Sequence, residues 1–416
     1  MTGRRAFLTL SLILGLSFNA GAQSLPLIVQ VSPSANITVI ASTIGATVID
    51  SIPGANTYLL NTPAVPSAAV ASALGIQWME LNTGVSLPNF AVFGIVSVPG
   101  TTASDWYKYQ PAWQVIQAQQ ALPYSNGQGT VIADINSLVD YRHPVLADHL
   151  TSGYDFVASK PAGSAALNQS EAGFLDQSEA GFLDQSEAGF LDQSEAGFLD
   201  ATGLLVNPAY SHGTLCAGVM AAIAPRSMIM PLRAFDDHGQ SDLFTIAKAI
   251  RYAVQHGAHV INMSFGVTSA SNSIQGAIQY AQQNNVLLVA SAGNSNTSVP
   301  QYPAAYGGVM ASAATDLLDK KDKKAAFSNY GSYIFVDAPG VNIISAYPGG
   351  YYSIVSGTSF SAPTAAATAA LVRSLRASGI ADSISAGAVN IDSKNPGYEN
   401  QLGYGRINVP HAVKPN

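Results

Sequence analysis

The heptapeptide Gly357-Thr358-Ser359-Phe360-Ser361-Ala362-Pro363 leads into an Ala-rich run from Ser361 to Ser378. Alanine has the highest helix propensity, proline is tolerated in a first turn, and Gly379 supplies a stop. The run therefore predicts a helix with Pro363 in its first turn. Ser359 then sits at the helix mouth, where free backbone N–H groups and the positive end of the dipole converge. A nucleophile there would find donors for a developing oxyanion. The plainer alternative is a serine that only caps the helix.

The preceding 230 or so residues alternate between two periodicities, and the alternation begins at Gly127. Thr130 to Asn136, Met228 to Phe235, His259 to Phe265 and Val286 to Ala292 read as buried strands. Ser241 to His256 reads as a helix capped by Ser241 and stopped by Gly257, and Asn272 to Asn285 as another. Strands alternating with helices predict an α/β fold with a mostly parallel sheet covered on both faces. In such folds function gathers at the carboxyl ends of the strands.

Ahead of this domain, Leu25 to Leu87 predicts a small α+β unit. Its strands are expected at Leu27–Val31, Thr38–Ile40, Thr47–Ile49, Thr57–Leu60 and Gln77–Leu81, with a helix at Ala68–Leu74. Residues 88–126 connect the two units, and Asp105–Tyr109 and Ala112–Ala121 are expected to lie against the larger one. At the start, Arg4 and Arg5 precede an apolar run, Ala6 to Phe18, and an Ala20-Gly21-Ala22 cleavage pattern. Residues 1–22 thus read as an export signal, by the general or the twin-arginine route, giving a secreted or periplasmic protein. From Gln169 to Asp200 the octapeptide Gln-Ser-Glu-Ala-Gly-Phe-Leu-Asp occurs four times. It is too short and polar for a solenoid and lacks the glycine pattern of calcium-binding rolls, so it reads as a surface insertion.

The chain has 416 residues, 48% of them hydrophobic and 10% charged, which excludes a disordered protein. Its net charge of −7 is local: the octapeptides carry −8, which leaves about +1 elsewhere. No basic patch points to nucleic acid, and no later stretch is long and apolar enough for a membrane helix. The single cysteine, Cys216, excludes an intramolecular disulfide and reads as a buried structural thiol.

Four stretches together resemble the subtilisin-like serine proteases, the subtilases. The Ser359 heptapeptide matches their G-T-S-x-x-x-P, and Ser211-His212-Gly213-Thr214-Leu215-Cys216-Ala217-Gly218 their H-G-T-x-x-A-G. Ala292-Gly293-Asn294-Ser295 matches their oxyanion-asparagine motif. Gly127 to Pro144 matches the segment around their catalytic acid, and Gly403 to Asn408 their closing stretch. The resemblance covers about Gln110 to Val413, in the family's order, and implies a three-layer subtilisin-like fold. It implies Ser359 as nucleophile, His212 as general base and Asn294 as oxyanion donor. A serine hydroxyl needs such a base, and a preset donor stabilises charge only as it develops.

One position departs from the pattern. Aligned on Asp140-Tyr141-Arg142-His143-Pro144, the family's acid falls on Asn136. An ionised carboxylate only accepts hydrogen bonds and so fixes the histidine tautomer; an amide can accept or donate and carries no charge. Asp134 shares the strand face but lies roughly 6–7 Å further down, which makes it a poor direct substitute. Three outcomes follow: a slow protease, a protein that binds peptides without cutting, or repair by another acid or by deamidation of Asn136 before Ser137.

The resemblance further implies that Ser264-Phe265-Gly266 and Ala290-Ser291-Ala292-Gly293 line the main specificity pocket, with a large hydrophobic side chain preferred before the scissile bond. By position, residues 23–87 resemble a pro-peptide acting as intramolecular inhibitor; a permanent accessory domain is the alternative. The partner is a polypeptide substrate, with neither nucleic acid nor, after signal removal, a membrane. No cofactor is required, and structural calcium, frequent in the family, has no assignable ligands. The rival to a serine endopeptidase is a pseudoprotease that holds polypeptide in its cleft.

Overall fold

The computed structural model describes residues 24–97, 105–162, 205–206, 209–317 and 322–414. The export signal and the octapeptide insertion lie outside them.

Among the described residues the main sheet has nine strands. From one edge they run Lys323–Lys324, Val309–Asp316, Leu287–Ser291, Val260–Met263, Val131–Asn136, Met228–Arg233, Gly153–Asp155 and Lys160–Ala162, with Val336–Pro339 also paired to Val309–Asp316. Every pairing is parallel except those of the two outermost strands in this order. Two helices cover each face. His212–Ile223 and Thr358–Arg373 pack in one apolar layer with Ile132, Ile229, Val260 and Val289. Leu243–Gln255 and Asn272–Gln283 pack in the other with Ala133, Ile135, Ile261 and Leu288.

The strand period of two decides where the polar residues go. Ile132 faces the first layer, so Asp134 and Asn136 lie on that same face; Val260 does too, and with it Asn262. The central strands thus send a file of buried polar side chains beneath the His212 and Ser359 helices, at the carboxyl ends of parallel strands.

The predicted helix after Ser359 begins earlier than its sequence suggests. It spans Thr358–Arg373, so Ser359 lies inside the first turn and Pro363 inside the helix. Gly379 is the left-handed residue preceding the next helix, Ile380–Gly387, and does not stop this one. Likewise Leu243–Gln255 is capped by Asp242, whose side chain accepts from Thr245 N; Ser241 pairs in a short strand.

The amino-terminal unit is an antiparallel sheet in the order Thr47–Ile52, Thr57–Thr62, Leu25–Val31, Ile76–Leu81, with helices Ile37–Thr43 and Ala68–Ala73. The expected strand at Thr38–Ile40 is helical. Asn36 caps it by accepting from Thr38 N and Val39 N, and this outweighs the β-branched residues. The unit docks on the helices of the second layer. Glu80 accepts from Ser271 Oγ, Asn272 N and Ser273 N at 2.8–2.9 Å, satisfying the free N–H groups of one helix start. Lys248 pairs with Asp50 at 2.6 Å on the other helix.

Residues 84–97 then cross the molecule in extended form. Gly84–Ser86 pairs antiparallel with Gln240–Asp242, and Ala91–Ser97 pairs antiparallel with Tyr351–Ser356, the strand leading to Ser359.

Candidate active site

His212 begins its helix within reach of the end of the Val131–Asn136 strand. Gly213 permits that approach: a Cβ there would stand 2.5 Å from Ser137 O and 2.6 Å from Leu138 O. The Gly213 N–H donates to Ser137 Oγ at 3.1 Å. In this seat His212 Nδ1 lies 2.6 Å from Asn136 Oδ1. Asn136 thus occupies the place next to the imidazole where the family pattern has a carboxylate.

The amide of Asn136 has one consistent orientation. Its Oδ1 also accepts from Ser137 N at 2.9 Å, and its Nδ2 donates toward both oxygens of Asp134, each at 3.3 Å. Asp134 also accepts from Asn262 Nδ2 at 2.8 Å. Since Oδ1 can only accept, Nδ1 of His212 must carry the proton, and Nε2 is left with a free lone pair. Nε2 is buried and has no hydrogen-bond partner. Burial lowers the His212 pKa to about 3, so the ring is neutral near pH 7. Burial also raises Asp134 to about 7, against the lowering effect of its two amide donors. The sequence marked Asp134 only as a poor substitute for the acid. It does not touch His212 but reaches it through Asn136.

Ser359 is held through Pro363. A residue with an N–H at 363 would donate to Ser359 O, four residues back; proline cannot. The freed carbonyl accepts from Ser264 Oγ at 3.0 Å and from Cys216 Sγ at 3.4 Å. Cys216 Sγ also lies 3.8 Å from His212 Nδ1, so one buried thiol touches both helices; burial holds it well above its usual range. Ser359 Oγ donates to Ser264 O at 3.4 Å, which leaves His212 Nε2 free.

Asn294 follows the Leu287–Ser291 strand. Its Oδ1 accepts from Thr358 N at 2.9 Å and Thr358 Oγ1 at 2.7 Å, so its Nδ2 must point the other way. There it donates to the backbone carbonyl of Asn89 at 2.8 Å. Next along the chain, the Phe90 ring packs 5.0 Å from the His212 ring and 5.4 Å from that of Phe360. Upstream, Leu87 N donates to Gly239 O at 2.9 Å. His212 and Ser359 are fully buried, and what lies over His212 is the chain's own extended segment. No periodicity marks Asn89 or Phe90 for this place.

The expected pocket residues fall into two groups. Ser264, Phe265, Ala290, Ser291 and Ala292 are buried, and the Phe265 ring packs on Phe235 at 5.1 Å. Gly266 and Gly293 are partly exposed. Gln301, absent from the sequence expectation, runs against both: a Cβ on either glycine would lie 3.1–3.4 Å from its side chain. Among the described residues no group of three His, Cys, Asp or Glu side chains could hold a metal ion, and no helix is long and apolar enough to cross a membrane.

A subtilase family model matches residues 127–405. Thermitase from Thermoactinomyces vulgaris is 33% identical over 311 residues, covering 72% of this chain and 94% of thermitase. A thermophilic serine proteinase from Bacillus sp. strain AK1 is 32% identical over 343 residues, covering 78% of this chain and 71% of that protein. Among solved structures, fervidolysin from Fervidobacterium pennivorans, a keratinolytic enzyme related to subtilisin, superposes with a TM-score of 0.71 at 22% identity. That match covers 94% of this chain and 61% of fervidolysin, and it bears on fold alone.

Proposed function

The chain belongs to the subtilase family of serine-type endopeptidases, and from that membership we propose that it is an exported enzyme that cuts polypeptides slowly through an acyl-enzyme on Ser359. His212 takes the Ser359 proton at Nε2 and returns it to the leaving amine. Asn294 Nδ2 donates to the carbonyl oxygen as it becomes negative. Asn136 holds the ring in place of a carboxylate, and because it brings no charge the imidazolium is less well stabilised. In the resting state Ser359 Oγ turns to Ser264 O, and rotation toward Nε2 accompanies engagement of substrate.

The observation that carries this reading is the hydrogen bond from Asn294 Nδ2 to a peptide carbonyl, Asn89 O, at 2.8 Å. That carbonyl lies in the short link between two paired strands, Gly84–Ser86 and Ala91–Ser97, which anchor the segment on either side of the site. We read residues 24–87 as a pro-region and residues 88–97 as its exit strand, lying across the cleft as an uncut inhibitor. The bond whose carbonyl meets the Asn294 donor is Asn89–Phe90, and it is the proposed maturation site. The specificity pocket is proposed to favour an apolar side chain, narrowed by Gln301, so the polar Asn89 before the maturation bond fits it poorly and slows that cut.

The rival, a pseudoprotease that holds peptides, draws on the same Asn136. Turnover of casein and of a chromogenic peptide, measured after residues upstream of Phe90 have been removed from each protein, separates the two. Activity in the parent that Ser359→Ala abolishes supports the enzyme; silence in the parent with gain on Asn136→Asp supports the rival.

A further inference from the structure

We propose that Asp134 is a positioning residue: its buried carboxylate fixes the Asn136 amide in one orientation, and through it keeps His212 in the tautomer a general base requires. The inference rests on the endopeptidase reading of this site.

An amide in place of the usual carboxylate has two orientations differing by a flip. In one, Oδ1 faces His212 and Nδ1 carries the proton. In the other, Nδ2 faces His212, Nδ1 must accept, and the proton moves to Nε2, where it blocks abstraction from serine. Asp134 discriminates between them. In the observed orientation Nδ2 meets both carboxylate oxygens at 3.3 Å; after a flip Oδ1 would press against a negative group in a fully buried site. Ser137 N–H favours the same orientation from the backbone side, so loss of Asp134 weakens the lock and does not abolish it.

The placement follows from the strand. Residues 134 and 136 share a face, and that face lies under the His212 helix. Asn262 on the adjoining strand, directly across from Asp134 in register, donates at 2.8 Å and steadies the carboxylate. The other register neighbour is Pro231. The titratable groups facing Asp134 are on the His212 helix: Cys216 and, across the Asn136 amide, His212 itself. Among the described residues no cation pairs with the carboxylate, so its charge is available to the imidazolium formed during catalysis. Burial makes Asp134 titrate near neutrality, so the lock strengthens as pH rises through about 7.

The test is a double-substitution cycle on the full chain: parent, Asp134→Asn, Asn136→Asp and the two combined, with kcat and KM measured against pH. Asp134→Ser, also neutral but smaller, is carried beside Asp134→Asn against misfolding of either. The expected result is a tenfold or greater loss of kcat on Asp134→Asn, KM within twofold, and loss of the rise in activity near pH 7. With Asn136→Asp already present, the same substitution should change kcat by less than twofold or raise it, because a carboxylate orients the ring unaided and a second one repels it. Equal losses in both backgrounds would overturn the proposal and mark Asp134 as structural. In parallel, 15N spectra of His212 in Ser359→Ala chains should show the Nδ1–H tautomer with Asp134 present and a mixture without it. An unchanged tautomer would overturn the proposal. These spectra need no turnover, so a silent parent refutes the endopeptidase reading while the role of Asp134 is still decided by the ring.

Discussion

Asn136 Oδ1 stands 2.6 Å from His212 Nδ1, with the amide held from behind by the Asp134 carboxylate. An amide in the acid's place therefore does not leave the imidazole unoriented. It supplies the acceptor that defines the tautomer and lacks only the adjacent charge.

Asn136→Asp should raise kcat by about 10²-fold with KM nearly unchanged. In the trypsin-like template a carboxylate-to-amide exchange costs about 10⁴, attributed to the wrong tautomer. A correctly held amide forfeits less, so less remains to be regained. Steady-state kinetics on a chromogenic peptide check this, and a 10⁴-fold gain would argue that the amide orients nothing.

Asn294→Ala should lower kcat by about 10²–10³, the cost of one oxyanion donor. The substitution also frees Thr358 N and Oγ1 from their shared acceptor. A loss of thermal stability should accompany the kinetic effect, measurable by calorimetry in the Ser359→Ala background, where self-digestion is absent.

The exit strand gives a covalent prediction. The Asn136→Asp chain should be recovered with Phe90 as its first residue, and Ser359→Ala should keep residues 24–97 attached. Amino-terminal sequencing with intact-mass spectrometry reads both. Cleavage elsewhere would displace the proposed maturation site, and an uncut but active chain would make the amino-terminal unit a permanent accessory domain.

Stability should depend on pH through Asp134. The folded chain holds its proton to about pH 7 and the unfolded chain only to 3.8, so between these values the folded state binds more protons and stability falls as pH rises. His212 has the opposite sign: neutral in the fold down to about 3 and ionising near 6.5 when unfolded, it makes stability rise with pH over that range. Asp134→Asn removes only the first effect. In Ser359→Ala chains its stability relative to the parent should grow by about 1.4 kcal/mol per pH unit between about pH 4 and 7. Urea unfolding at several pH values measures the difference, and a constant offset would contradict it.

Much of this was legible in the chain itself. The strands Val131–Asn136 and Met228–Arg233 and the helix Asn272–Gln283 follow from apolar patterning, and their alternation predicts the parallel sheet. The errors lie where a local bond outweighs propensity. Asn36 turns the β-branched Thr38–Ile40 into helix, and Asp242 takes the cap from Ser241 because Ser241 is paired in a strand. The shift at Ser359 has a tertiary cause: Pro363 is tolerated inside the helix because Ser264 and Cys216 take up the carbonyl it leaves free. His212, Ser359, Asn294 and Asn136 were legible as motifs. Asp134 is visible in the sequence on the correct face, but the strand rise puts it too far from His212 to be a direct partner. Its reach through a second side chain is a property of coordinates. The cleft segment at Leu87–Phe90 leaves no mark in periodicity, because its partners lie at Gly239, Asn294 and His212, far off in the chain.

The most direct measurement is release of chromophore from a peptide substrate by the purified protein, compared with its Ser359→Ala variant. Slow, saturable turnover in the parent that disappears with the hydroxyl is the predicted result. Equal rates in the two proteins, or none in the parent even after residues upstream of Phe90 have been removed, would contradict the assignment of Ser359 as an activated nucleophile.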